Sequence, residues 1–263
     1  MKKTRADIRL VELGLVESRT RAQARILAGQ VFLDSRRIEK AGDPVPEDSV
    51  LRVTELERYC SRGGRKLEGA LTDLRLDVAG LVAVDVGAST GGFTDCLLQH
   101  GAPRVYAVDV GHGQLAEKLR QDPRVVIMDR TNARHLTRES FPEPIALSVV
   151  DASFISLDKL LPAIAQFLPI GARLLALIKP QFEVGREEAT RVRGVVSDET
   201  MRAAAVAGAL ANVVSAGFRL LGDCRCRVPG PQGNVEFFLW LRRDAPAVDP
   251  AAVQQVVEGV VAQ

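Results

Sequence analysis

A glycine-rich stretch, Val84-Asp85-Val86-Gly87-Ala88-Ser89-Thr90-Gly91-Gly92-Phe93-Thr94-Asp95, has the residue types and spacing to hold a nucleoside-bearing ligand. The apolar run before it, Leu81 to Val86, reads as a buried strand, and the periodicity from Phe93 to Leu98 reads as a helix. A turn of this kind lets a ligand approach bare backbone and meet the amides at the helix start. A second apolar strand, Val105 to Val108, delivers Asp109 about twenty residues on, where an acid meets ribose hydroxyls.

The loop narrows the ligand. A dinucleotide site wants G-x-G-x-x-G, and Ser89 stands at its second glycine; a P-loop wants Gly-Lys-Ser/Thr, and no lysine is present. The pattern Asp85, Gly87, Ser89, Gly91 instead resembles the methyltransferase loop for S-adenosylmethionine, a cofactor without phosphates. That resemblance implies Asp85 for the ammonium group, reached through the chain or water, and Asp109 for the ribose. Gly92, Phe93 and Val110 complete the expected lining. Asp129, ending the next strand, is placed either for the adenine amino group or as a strand-end turn residue.

A second set of residues concerns the acceptor. Amino-directed enzymes place Asn/Asp-Pro-Pro-aromatic after the fourth strand, where this chain has Asp151-Ala152-Ser153-Phe154, and no Pro-Cys nucleophile occurs. Charged groups mark strand ends instead: Asp151 on the fourth strand, Lys179 on the fifth, Glu236 opening the last, with Lys66 at a helix start before the first. A lysine ending an apolar strand is costly to bury unless paired, and a snorkelling surface lysine is the simpler alternative. Grouped at the carboxyl ends of the strands, such residues suit a hydroxyl acceptor, whose proton must leave as the oxygen attacks.

The elements that would position them form an α/β pattern. Strands are expected at 81–87, 104–110, 124–129, 145–151 and 172–179, with helices at about 91–100, 114–121 and 157–168 between them. A long helix, about 199–216, leads to two apolar runs, 219–228 and 235–243, joined through Pro229 to Asn234 as an antiparallel hairpin. The expected fold is Rossmann-like, a mostly parallel seven-stranded sheet with a C-terminal antiparallel hairpin, the usual one for methyltransferases using S-adenosylmethionine. Ahead of it lies a small α+β unit, residues 1–56, then a linker, 57–63, placed at the charged, pattern-poor stretch around Glu55 to Arg62; the main domain spans 64–263.

In the small unit, Arg5 to Leu15 suggests one helix and Arg19 to Ala28 a second, capped by Ser18 and ended by Gly29. Val31 to Leu33 and Val50 to Val53 read as strands, and Asp34 to Arg37 as a turn. Arg21 and Arg25 share a helix face, and Arg5, Arg19, Arg36 and Arg37 could extend the patch. On composition alone a solvated helix face is the simpler reading. The run SRTRAQARILAGQVFLDSRRIEKAGDPV, however, resembles the small RNA-binding domain first described in a small-subunit ribosomal protein. That implies phosphate contacts giving affinity and orientation rather than sequence readout.

Bulk properties agree with two globular modules: 263 residues, 46% hydrophobic and 26% charged. A net charge of +2 does not announce a polyanion partner, so the local clusters carry that argument. Cys60, Cys96, Cys224 and Cys226 contain no CxxC pair, which favours reduced, packed thiols and no metal site. No apolar run is long enough to span a bilayer, and the charged N-terminus lacks a signal-peptide core, so a cytoplasmic location is expected. The segment Ala251 to Val261 reads as a short docking helix.

Four signatures, SRGGRKL, DVGASTGGFTD, KPQFEVG and GVVSD, resemble the TlyA family over nearly the whole chain. That family joins the small RNA-binding domain to an FtsJ-like ribose 2′-O-methyltransferase and methylates cytidine in ribosomal RNA of one or both subunits. The resemblance implies that Lys66, Asp151, Lys179 and Glu236 form a catalytic tetrad. Lys179 would act on the hydroxyl, Asp151 and Lys66 would position it, and Glu236 would hold Lys179. Arg62 and Arg65 join the basic run between the modules, suited to RNA passing between them. The chain departs from the family's Arg-x-Trp-Val linker with Arg58-Tyr59-Cys60, which leaves any linker role in cofactor binding open. Two other readings are the membrane-active protein suggested by the family's older haemolysin name, and a ribosome-assembly factor that kept the fold without the chemistry.

Overall fold

The computed structural model describes residues 3–54, 58–153, 155–192 and 194–244, and its two compact units divide after Arg58. Phe154 and the segment Ala251 to Val261 lie outside the described residues.

In the first unit, β1 (Lys3–Arg5) leads into α1 (Ala6–Glu12), and α2 (Arg19–Leu27) starts where the Ser18 side chain accepts from Arg21 N at 3.3 Å. Next come β2 (Val31–Leu33), β3 (Arg36–Arg37), β4 (Pro44–Pro46) and β5 (Leu51–Val53), in two small sheets ordered β1-β4 and β3-β2-β5. The stretch expected as a turn is therefore a hairpin. Asp34, at a φ of 53°, and Ser35 form the bend, and Arg36 and Arg37 pair back onto β2. β4 was not expected as a strand because prolines read as breakers. It is tolerated since it pairs only with β1, at a sheet edge. Leu10, Ala22, Ile26, Val31, Ile38 and Val45 bury this unit's core.

The second unit begins with Tyr59, 1% exposed, and α3 (Arg62–Asp73). Residues 59–63, expected within the linker, thus belong to the domain, because the Tyr59 ring packs against Gly64 in its core. The chain then alternates through β6 (Val82–Val86), α4 (Gly92–Gln99), β7 (Arg104–Val108), α5 (Glu117–Arg120), β8 (Val125–Met128), β9 (Leu147–Val150), α6 (Leu157–Phe167) and β10 (Arg173–Ile178). Two short helices follow, α7 (Pro180–Glu183) and α8 (Arg186–Arg191). After them come α9 (Glu199–Ser215), β11 (Phe218–Arg225) and β12 (Phe237–Arg243). The Asp198 side chain starts α9 by accepting from Met201 N at 2.7 Å.

The sheet order is β11-β12-β10-β9-β6-β7-β8, parallel from β10 through β8, with β12 antiparallel to both β10 and β11. This is the expected Rossmann-like arrangement with an antiparallel end. Its two faces bury separate clusters. Val84, Val86, Tyr106 and Val108 face α6 and α9, while Ala83, Val105 and Ala107 face α3 and α4. The period of two therefore aims Asp85 toward α4.

Packing at Gly64 leaves no room for a side chain, since a Cβ there would fall 2.2 Å from Tyr59 Cγ. Gly64→Ala should cost about 1–3 kcal/mol through overpacking, lowering Tm by about 2–4 °C per kcal/mol. Calorimetry on the full chain checks this, and an unchanged Tm would contradict the packing.

Candidate functional site

The site lies at the carboxyl ends of the parallel strands, where the order reverses between the adjacent β6 and β9 beside the glycine loop. Gly87 has a φ of 85°, and a Cβ there would meet Asp151 O at 2.7 Å, so two strand ends close over bare backbone. Ser89 also takes a left-handed conformation, with a φ of 48°. Its amide donates to Asp109 Oδ2 at 2.8 Å, while Gly111 N donates to Asp109 Oδ1 at 2.7 Å. Asp109 is thereby held at the loop, with its remaining lone pairs available to hydroxyls.

Two cavities of about 280 Å³ each share the loop. One is apolar in part and lined by Val108, Asp109, Val110, Gln114, Asn132 and Ala133, which fits an adenosine. The other brings Lys66, Asp151, Ser153 and Lys179 against Gly87 to Thr90, Gly92 and Phe93. An extended ligand laid across the loop would occupy both.

Two expected cofactor residues are placed otherwise. Asp85 is fully buried and lines neither cavity; its Oδ2 accepts from Thr94 N at 2.9 Å and Thr94 Oγ1 at 2.7 Å. It fastens α4 to β6, because the alternation of β6 turns it away from the ligand face. Asp129 also lines neither cavity. Its Oδ2 accepts from Gly113 N at 2.9 Å and contacts His112 Nδ1 at 3.1 Å, which is the strand-end turn alternative. Asn132, absent from the sequence reading, lines the partly apolar cavity instead. Its Oδ1 accepts from Arg134 N at 3.0 Å, which leaves the amide NH₂ for a base. A hint was available in its position just past the third strand.

The four charged residues do come together, with a different pairing from the expected one. Lys66 Nζ lies 2.6 Å from Glu236 Oε2, and Lys179 Nζ contacts Asp151 while donating to Ser153 Oγ at 3.0 Å. Glu236 thus holds Lys66 rather than Lys179, because β12 presents it toward α3. Both lysine side chains are about 10% exposed or less, so each needs its carboxylate: removing one partner of a buried pair costs about 3–5 kcal/mol. Lys179 Nζ also lies 5.9 Å from the Phe182 ring centroid.

Ser61, Arg62 and Gly63 line the cavity that holds Lys66, Asp151 and Lys179; of the three, only Arg62 was expected at a site, as an RNA contact. Asp95 holds them there. It accepts from Cys60 N at 2.8 Å and Lys118 Nζ at 2.7 Å, and these contacts keep its carboxyl low against the cost of burial. All four cysteines are free thiols, and burial pushes Cys224 up to about 12.

In the first unit the basic residues divide. Arg5 and Arg19 both bond Asp7 at 3.0 Å; these contacts, Arg5 foremost, hold its carboxyl well below the usual range. Arg25 donates to Gln30 Oε1 at 3.1 Å. Arg21, Arg36 and Arg37 are exposed and have no ion-pair partner among the described residues. Arg65 is exposed on α3.

Residues 59–243 match the family model described as FtsJ-like methyltransferase, and residues 4–51 match the S4 domain. A Mycobacterium tuberculosis protein named 16S/23S rRNA (cytidine-2′-O)-methyltransferase TlyA is 45% identical over 92% of this chain and 90% of its own. A solved Streptococcus thermophilus structure, named as a hemolysin, is 40% identical with a TM-score of 0.71 over 98% of this chain and 96% of its own. A Listeria monocytogenes S-adenosylmethionine dependent methyltransferase shares the fold, with a TM-score of 0.52 over 70% of this chain and all of its own, at 14% identity. Among the described residues, no helix is long and apolar enough to cross a membrane.

Burial pushes Asp85 up from 3.8 to about 7, opposed by the Thr94 hydrogen bonds and aided by the Asp151 and Asp109 charges. Between those values the folded chain keeps a proton that the unfolded chain releases, so this contribution to stability falls as pH rises from about 4 to about 7. Asp85→Asn removes that dependence, and urea unfolding should show the variant relatively more stable than wild type at pH 8 than at pH 5. A pH-independent difference would contradict it.

Proposed function

The chain belongs to the FtsJ-like methyltransferase family and carries an S4 domain; on that premise we propose that it moves a methyl group from S-adenosylmethionine to a ribose 2′-hydroxyl of ribosomal RNA, with cytidine as the nucleoside. The observation that carries the reading is the pairing of two buried lysines with carboxylates beside the glycine loop. Such a site suits an acceptor that starts as a neutral hydroxyl and must give up a proton.

The lining fits the cofactor: bare backbone at Gly87, a carboxylate at Asp109 for ribose hydroxyls, Asn132 for the base, and apolar Val110 beside it. When bound, S-adenosylmethionine supplies an electrophilic methyl group. The chain's own residues do the rest. Lys179 Nζ orients the incoming 2′-oxygen and stabilises the negative charge that develops on it, while the Asp151 carboxylate takes the proton. Ser153 fixes Lys179 from the side, and Lys66, held by Glu236, closes the other wall. The low exposure of both lysines strengthens these interactions relative to water.

On the S4 domain, Arg21, Arg25, Arg36 and Arg37 supply phosphate contacts, whereas Arg5 and Arg19 chiefly brace Asp7. Arg62 and Arg65 on α3 extend positive charge at the catalytic cavity. A cytoplasmic site of action follows from a ribosomal RNA substrate.

Lys179→Ala should abolish transfer of label from S-adenosylmethionine to ribosomal subunits or free ribosomal RNA, while calorimetric cofactor binding persists. Transfer surviving in that variant would overturn the assignment. Arg21→Glu with Arg36→Glu should raise KM for RNA, reduce the salt dependence of binding and leave cofactor affinity unchanged. An unchanged KM would remove the S4 patch from the account.

A further inference from the structure

The ligand edge of the sheet holds another cavity, which the proposed reaction does not use. β11 runs parallel to β10, since both lie antiparallel to β12, so the end of β11 and the start of β12 meet at the carboxyl edge. Beside their connection lies an open recess of about 500 Å³ lined by Arg225, Cys226, Arg227, Asn234 and Val235, within the size range of small-ligand sites. Its inner wall adjoins the catalytic cluster. Cys226 N donates to Glu236 O at 2.8 Å, and the Cys226 thiol, raised mainly by burial, also feels the charges of Lys66, Glu236 and Asp151.

The wall is well fixed. Asn234 is 4% exposed, accepts from Val196 N at 3.1 Å and donates to Gly194 O at 2.8 Å, which ties the connection to the segment before α9. Gly230 N closes the turn onto Asn234 O at 2.9 Å. Arg227 crosses α3 at Gly69, where its Cδ lies 3.3 Å from the place a Cβ would take. Asp73 holds its guanidinium, with Nε to Oδ2 at 2.9 Å and Nη2 on Oδ1. Arg225, ending β11, is exposed and has no side-chain partner among the described residues. One oriented guanidinium and one free guanidinium therefore line this cavity. The Lys66–Glu236 pair lies between it and the cavity that takes the hydroxyl.

Polymer chemistry says what belongs there. A strand that presents one ribose to the cavity holding Lys179 carries a phosphate at every nucleotide, so the RNA leaving that cavity brings further anions along the ligand edge. We propose that the cavity under the β11–β12 connection seats RNA further along the same strand, one or two nucleotides from the methylated one, with a backbone phosphate on Arg225 and Arg227. The Arg225 fork can match a pair of phosphate oxygens, while Asp73 occupies Nε and Nη2 of Arg227 and fixes the direction in which its Nη1 side is presented. This rests on the ribose-methylation reading and adds a second RNA subsite to it.

The test compares Arg225→Ala/Arg227→Ala with Arg104→Ala/Arg124→Ala, an equal charge loss at the amino ends of β7 and β8, in the full chain. The first pair should raise KM for RNA about tenfold and lower the salt slope by about one to two, with kcat and cofactor affinity near wild type. Arg225→Lys/Arg227→Lys should recover part of the loss. An unchanged KM, or an equal rise in the control pair, would overturn the subsite. The position of the wild-type methyl group separates this from the underlying reading. Methyl on a base fails the ribose assignment, whereas methyl on ribose with unchanged KM fails only the subsite.

Discussion

Two lysines are carried to the ligand edge of a sheet with little access to water, and each must meet a carboxylate there. Everything else in the site follows from that requirement. Lys179 ends β10 and finds Asp151 at the end of the adjacent β9, a neighbour supplied by parallel pairing. Lys66 has no partner on its own helix. Glu236 reaches it only because β12 inserts antiparallel beside β10, bringing a residue 170 positions away within 2.6 Å. The terminal hairpin thus holds the site together, since without it Lys66 would be a buried and uncompensated charge.

The same requirement fixes the acceptor class. An amino nucleophile needs its N–H groups held by acceptors so that its lone pair faces the methyl group, and cytosine C5 needs a thiol nucleophile. A hydroxyl needs its oxygen oriented and its proton removed, which a cation beside a carboxylate provides. The glycine loop contributes closeness rather than charge. Asp109 is fixed by two backbone amides at its rim, and Gly87 lets Asp151 O approach where any side chain would block it.

Much of the fold was legible because the parallel strands are short apolar runs and the helices between them keep a clear period. Expected strand and helix ends fall within a few residues of those observed. The errors have physical causes. Asp85 looked like a ligand group, but the period of two turned it to α4, a direction that a motif does not encode. Asp129 satisfies the amide of Gly113, a local demand that spacing cannot reveal. Three of the four charged residues could be picked out at strand ends and Lys66 at a helix start, but their pairing could not: which carboxylate meets which lysine depends on strand order. Tyr59 looked like linker because one aromatic among charges has no periodicity, yet a glycine at position 64 leaves its ring a place in the core.

The central claim is that the acceptor oxygen is a ribose 2′-hydroxyl. A 2′-O-methyl group blocks the neighbouring attack that cleaves RNA in alkali, so the decisive measurement is alkaline hydrolysis of RNA labelled by the wild-type chain. The account predicts label in alkali-resistant dinucleotides. Label released in ordinary mononucleotides would place the methyl group on a base and contradict it.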